Sequence, residues 1–426
     1  MTVQSGSETR LKILLTDGSS ISTREILYDL GPHHTVDILD ANPLCLSRFS
    51  RLVRRWYRCP RFGADPHGFL RCLGERLAAE KYDVLLPMHD EIFLVARVRE
   101  ALEKKVPLAV HDFSVIDRLQ SKLQFLKICQ DLQLPHPETR VVSSERELNE
   151  WSEFPSFVKL DYGTAGQTVK LVHDQSETRA AIAKFRELKL WSEGTPFLIQ
   201  RPSEGTQSVF RGIYRRGELV SQHISVLVMR GVGGSAVVRE SAEHPAVVEH
   251  MRRFGKELGC HGPLFADYFY DEATQTPSFI EANPRIGDIA NDFFSGQRAG
   301  QHWVDVALGR EPSVAQSSRA KVRSHSAMLV VMSRALDGAG RQQLFRECMA
   351  QAAGSGVYEN SEEELTRFRD DRLSVVPYLW VTGRILARPS VAQRIVGNTV
   401  ANYSLTAEAA ERIRRIPTAE LVAALG

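Results

Sequence analysis

The chain has 426 residues, 43% of them apolar and 25% charged, which describes a globular protein larger than one hydrophobic core usually supports. Its 54 basic and 52 acidic residues leave a formal net charge of +2 and no electrostatic footprint for nucleic acid or an anionic membrane. The six cysteines stand far apart without a C-x-x-C pair, which argues against a zinc site and a disulfide scaffold.

In chain order, Leu11 to Leu15 reads as a buried strand, closed by the turn residues Thr16 to Ser20, with Ser22 to Glu25 capping a following helix. A second strand runs from Thr35 to Leu39, and the arginines between Arg51 and Arg61 read as a solvated face. A third strand, Asp83 to Leu86, leads into His89-Asp90-Glu91 and another helix. Strands alternating with helices predict a parallel sheet whose carboxyl ends carry Asp17, Asp40 and Asp90, where ligands of such sheets gather. Residues 114 to 132 predict a helix, and Leu134 to Pro137 an extended connector.

From Phe157 the texture changes to short strands between glycine loops: Phe157 to Leu160, Thr168 to Val172 and Phe197 to Gln200. Val209 to Val228 predicts an antiparallel hairpin turning at Arg215 to Glu218, residues 243 to 258 a helix, and Gly262 to Tyr270 and Ser278 to Ala282 two more strands. After about residue 315, alanine, glutamate and arginine dominate long helical stretches.

Three features carry chemistry. If the last two strands pair, Asp267 and Glu281 sit side by side, and two such carboxylates repel unless a cation lies between them. Magnesium is the cation for hard oxygen ligands shared with phosphates; Asn283 falls on the same strand face, and Arg285 follows to clamp a phosphate or carboxylate. A structural hairpin with exposed acids is the plain alternative. Second, Lys159 lies in a strand before a loop, Gly163 to Gly166, whose glycines let N–H groups turn toward a phosphate; a simple hairpin is the alternative here. Third, Gln200-Arg201-Pro202, running through Gly205 into the next strand, forms a connector whose backbone can read an adenine edge.

Taken in this order, the lysines, the glycine loop, the Gln-x-x-x-x-Gly linker and the final Asp…Glu-x-Asn-Pro-Arg resemble the ATP-grasp superfamily over the first ~310 residues. The likeness is to its carboxylate–amine ligases and carboligases, of the D-aspartate ligase and carbamoyl phosphate synthase type. The resemblance implies a mixed α/β and α+β chain: a pre-ATP-grasp parallel α/β domain at residues 1–112, a two-lobed ATP-grasp domain at 113–314 and a mostly helical segment at 315–426. It implies ATP phosphates held by Lys122 and Lys159, a covering loop of Gly163, Thr164, Ala165 and Gly166, and adenine against Gln200, Arg201 and Pro202. The family's ribose-binding acid is replaced by Gln207, with Glu204 as a substitute. Magnesium, or manganese in its place, would lie on Asp267, Glu281 and Asn283, and Arg285 would stabilise an acyl phosphate.

Residues 230–241 also resemble the Gly-Gly-x-x-x-x-x-Arg loop of the carboligases, which implies Arg239 as a clamp for a substrate carboxylate, with a flexible surface loop as the alternative. Asp90 or Glu91 either faces the amine or caps its helix. The activity implied is ATP-dependent amide formation from a small carboxylate, such as an amino acid, and an amine, by way of an acyl phosphate. A phosphotransferase, or a nucleotide-binding protein without chemistry, is the alternative. The partners expected are these small molecules, without nucleic acid or membrane, and a homodimer is left open. The polar N-terminus and the absence of a ~20-residue apolar run make cytoplasm the expected compartment.

Overall fold

The computed structural model describes residues 10–163, 168–188, 190–191, 195–231, 234–312 and 318–426. Its first sheet is parallel, built from β1 (Lys12–Thr16), β2 (Thr35–Asp40), β3 (Val53–Arg58) and β4 (Val84–Leu86) in the order β3-β2-β1-β4. Side chains alternate across it. Ile13, Leu15, Val36 and Ile38 pack against Ile26, Leu27 and Trp303, whereas Leu14, Leu39 and Leu85 face Phe69, Leu70 and Ile92. Both faces are covered, as a parallel sheet requires.

The helix after β1 is capped by Ser20, whose Oγ accepts from Thr23 N–H, so it begins just before the expected capping stretch. The strand β3 escaped the sequence pattern because it is an edge strand with arginines outward. Arg54 is bonded to Asp37 at 2.9 Å and Arg55 to Glu80 at 2.7 Å. The helix expected over 114–132 is two helices, Phe113–Gln120 and Lys122–Asp131. Ser121 adopts extended backbone, and its Oγ caps the second by accepting from Gln124 N–H.

A second sheet, β5 (Thr139–Val142), β6 (Ser156–Leu160), β7 (Val169–Val172) and β8 (Phe197–Gln200), is antiparallel in the order β5-β8-β6-β7. The third sheet has seven strands: β9 (Thr206–Arg215), β10 (Glu218–Arg230), β11 (Ala236–Ser241), β12 (Gly262–Asp271), β13 (Thr276–Asn283), β14 (Arg323–His325) and β15 (Ser361–Glu363). Their order is β13-β12-β9-β10-β11-β14-β15, antiparallel except for the β14–β15 pair. The predicted hairpin turns at Arg216-Gly217 between β9 and β10.

Two strands of this sheet, β14 and β15, come from the C-terminal stretch. Three residues each are too short to show a period of two, so the sequence reads only the helices there. The last helices, Ala407–Arg415 and Thr418–Leu425, return to the first sheet. Ala410, Ile413, Leu421 and Leu425 join its core, and Arg97 donates to the carbonyls of Ile413 and Ile416 at 2.7 and 2.8 Å. Among the described residues no helix is long and apolar enough to cross a membrane, and all six cysteines are free thiols.

Candidate active site

The acids of the central hairpin owe their position to its register. In β12 the residues Leu264, Ala266, Tyr268 and Tyr270 are buried in the core, so Phe265, Asp267 and Phe269 lie on the opposite face. Asp267 pairs with Glu281 and Phe265 with Asn283, and a bulge at Ile280 restores Phe279 to the core side. The expected juxtaposition of Asp267 and Glu281 is therefore observed. Burial, then the neighbouring Glu281, pushes the Asp267 carboxyl up to about 7. Arg211 and Arg285 oppose that rise.

Lys159, near the end of β6, faces this pair from the small sheet. Burial draws its ammonium down to about 8, against the pull of Glu281 and Asp267, with Lys122 adding to the fall. Its Nζ donates to Gln200 Oε1 at 2.5 Å, and Gln200 Nε2 donates to Thr139 Oγ1 at 2.8 Å, which fixes the amide. Lys122 opens its helix and donates to the Gly163 carbonyl at 3.2 Å. Asp161, unremarked in the sequence, ties these parts together: its Oδ1 accepts from Ser121 Oγ at 2.7 Å and Leu123 N–H at 3.0 Å. Gly163 has φ of 145°, and Thr164, Ala165 and Gly166 lie outside the described residues.

Along the linker, Arg201 is exposed and paired with Glu138 and Glu153 at 3.3 and 3.4 Å, and Pro202 and Glu204 are exposed. Gln207 sits on β9, where Arg230 donates to its Oε1 at 3.0 Å and its Nε2 donates to Gly234 O at 3.3 Å. Thus the structure brings Lys122, Lys159, Gln200, Asp267 and Glu281 to one region, with Gln207 and the exposed linker residues along its margin.

At the far end, Arg285 is buried beneath the first sheet's strand ends. Its Nε donates to Asp90 Oδ1 at 3.0 Å, and its guanidinium lies 5.0 Å from the centre of the Phe265 ring. The sequence aims Arg239 at a substrate carboxylate, but the structure gives it two carboxylates of the chain itself, Asp288 at 3.3 Å and Glu364 at 3.1 Å. Burial opposes its charge, yet Glu364, Asp288 and Glu25 hold its guanidinium more firmly protonated than usual. Arg211 adds an ion pair with Asp292 at 3.3 Å. Glu91 turns inward, accepting from the N–H groups of Met88 and His89 at 2.8 and 3.1 Å, and so braces its own turn.

Sequence reasoning missed Arg211, Asp288 and Glu364. Asp288 stands three residues beyond Arg285 and was open to notice; Glu364 lies in a stretch without any local pattern.

The residues fit a magnesium–nucleotide complex by their donor chemistry. Two carboxylates directly across the ladder, that of Asp267 raised by burial and by Glu281, with an asparagine beside them, are hard oxygen donors that a divalent cation relieves. Among the described residues no group of three or more His, Cys, Asp or Glu forms a protein-only cage. Magnesium typically completes its shell with phosphate and water instead.

No family model matches the chain. It is similar to the carbamoyl phosphate synthase large chain, C-terminal section, of Methanopyrus kandleri, being 24% identical over 198 residues, 43% of this chain and 36% of that protein. It is 27% identical over 201 residues to the carbamoyl phosphate synthase large chain of Thermus thermophilus, covering 43% of this chain and 19% of that one. The match thus spans well under half the length of these curated relatives.

Among solved structures, the L-amino acid ligase of Bacillus licheniformis aligns with a TM-score of 0.55 at 17% identity, covering 71% of this chain and 75% of that one. Biotin carboxylase of Campylobacter jejuni, in a β-γ-ATP complex, aligns at 0.60 and 12% identity over 74% of both chains. N5-carboxyaminoimidazole ribonucleotide synthetase of Thermus thermophilus aligns at 0.54 and 16%, over 73% and 81%. These likenesses establish a shared fold.

Proposed function

We propose that the chain is a member of the ATP-grasp superfamily, an ATP-dependent ligase joining a small carboxylate to an amine through an acyl phosphate, a reading supported by its likeness to carbamoyl phosphate synthase chains and by the shared fold. The observation that carries this reading is the Asp267–Glu281 pair set opposite Lys159. Paired acids facing lysines across a cleft suit a metal-bound triphosphate, whose charges answer both.

In this reading Lys122 and Lys159 hold the phosphates, and Gln200, Arg201 and Pro202 border the adenine. Gln207, or Glu204, meets the ribose. Asp267, Glu281 and Asn283 hold magnesium, which when bound draws charge from the β- and γ-phosphates. Arg285 forks onto oxygens of the phosphoryl group in transfer.

A substrate carboxylate oxygen attacks the γ-phosphorus, and the bond to the β-bridging oxygen breaks to release ADP. The amine nitrogen then attacks the acyl carbon, phosphate leaves, and the nitrogen gives up its proton. Burial of Lys159 and Arg285 keeps water from an intermediate that would otherwise hydrolyse. In this reading Arg239 acts on the carboxylate end by holding Asp288 beside Arg285.

The test is incubation with Mg-ATP and pooled amino acids and small amines, following ADP and phosphate, with Glu281→Gln as control. Substrate-dependent release lost in the variant, with an amide in the mass spectrum, supports the reading. A stable phosphate ester in place of the amide makes the protein a phosphotransferase. Absence of nucleotide binding sinks the reading.

A further inference from the structure

Asp90 follows β4 at the carboxyl end of the first sheet, and it is 1% exposed. Its two oxygens are engaged by distant parts of the chain. Oδ1 accepts from Arg285 Nε at 3.0 Å, with His89 Nδ1 3.2 Å away. Oδ2 accepts from the Leu405 N–H at 2.9 Å. Leu405 follows the helix Val391–Tyr403, whose last residue packs at a tilt against His89, with ring centroids 4.2 Å apart and 47° between their planes.

This arrangement ties Asp90 to two distant parts of the chain and not to its own turn alone. The Phe265 ring lies against the Arg285 guanidinium, and Asp90 fixes the direction of its Nε. Tying Nε leaves the two terminal amino groups as the pair that can fork onto phosphate oxygens. Burial by itself opposes ionisation of Asp90, but His89, Arg285 and the Leu405 N–H hold its carboxyl well below the usual range. The Asp90 charge is thus kept for Arg285 at neutral pH.

We propose that Asp90 is a positioning residue for Arg285, itself seated by the C-terminal segment, so that residues 391–405 complete the phosphate-handling end of the site. The proposal rests on the ligase reading, in which Arg285 meets the phosphoryl group. It gives the C-terminal segment a part in catalysis that its sequence does not announce.

A double-mutant cycle tests it. Asp90→Asn is nearly isosteric and still accepts from Leu405, but it lacks the charge that orients Arg285. It is expected to lower the turnover number about tenfold or more, with the KM for Mg-ATP moving less than about threefold. In an Arg285→Gln background the same change is expected to cost less than about twofold, since the group it positions is gone. Equal factors in both backgrounds overturn the proposal, because a merely structural role would add in each.

Should Asp90→Asn fail to fold, Asp90→Ser takes its place in the same cycle. A wild-type protein without turnover in any pool counts against the ligase reading alone, and the cycle is then read on nucleotide binding. Asp90→Asn is expected to weaken Mg·ADP–aluminium fluoride, which stands in for the phosphoryl group in transfer, about tenfold and Mg·ADP less than twofold, and only while Arg285 is present. Equal weakening of both nucleotides, or none, overturns it, and a wild type that binds neither overturns both ideas.

Discussion

Asp267 and Glu281 stand directly opposite one another in the β12–β13 ladder, on the face turned from the core and toward Lys159. Like charges directly across a ladder destabilise a sheet. A pair retained at a semi-buried position is the arrangement a divalent cation and a polyphosphate would relieve.

Glu281→Gln and Asp267→Asn are each expected to lower turnover about a hundredfold or more, by analogy with loss of one preorganised charge-stabilising group. Their melting temperatures in the absence of nucleotide are expected to be unchanged or higher, because the mutual repulsion is gone. Steady-state ADP release and thermal denaturation read the two effects. Turnover kept within about threefold in both variants counts against a metal at this pair.

Nucleotide binding is expected to follow pH on both sides of neutrality. Asp267 keeps its proton up to about 7, so Mg-ATP binding strengthens as pH rises through that value. Lys159 loses its own near 8, so binding weakens above it. Lys159→Arg remains charged and should flatten the alkaline limb. For stability the signs are as follows. Asp267 is raised from 3.8, so the folded state binds the extra proton between there and 7 and stability falls as pH rises through that window. Lys159 is lowered from 10.5, so the unfolded state binds the extra proton above 8 and stability rises with pH there. Calorimetric titrations and melting curves across the range decide both; a pH-independent affinity in the parent contradicts the assignment.

Arg239→Met is expected to cost about 3–5 kcal/mol, since it leaves Glu364 in the interior, and the half-buried Asp288 beside it, without their common counter-charge. Adding Glu364→Gln should recover part of the loss, because one of the two stranded charges is removed. Urea denaturation of the single and double variants measures this. A loss below about 1 kcal/mol would mean that water reaches these carboxylates.

Gly74→Ala is expected to destabilise by about 1–3 kcal/mol, for a methyl group there would lie 1.8 Å from the Leu425 carbonyl oxygen. The last helix, Thr418–Leu425, must shift to admit it. Faster amide hydrogen exchange confined to residues 418–426 is the expected signature. Unchanged exchange and melting would show that the helix docks without this contact.

Much of the architecture was legible because it is written in local pattern. The apolar strand runs, the turn at Arg216-Gly217 and the alternation that sets Asp267 apart from Tyr268 follow from a period of two and from turn chemistry. The bulge at Ile280 was not legible, although the pairing of Asp267 with Glu281 survives it. The edge strand β3 and the three-residue strands β14 and β15 were missed, since arginine-rich and very short segments carry no such period.

The sequence by itself determined the order of its lysines, linker and Asp…Glu-x-Asn-Pro-Arg, which resembles that of the ATP-grasp superfamily, because each lies within one helix, strand or turn and needs only its neighbours to be recognised. Only the tertiary structure decided that Arg285 rests on Asp90, 195 positions earlier, and that Leu405, 315 positions beyond Asp90, holds that carboxylate from the other side. It also decided that Arg239 is occupied by Glu364. Buried charges take whichever partner packing brings within reach, since an unpaired charge in the interior costs more than any local preference supplies.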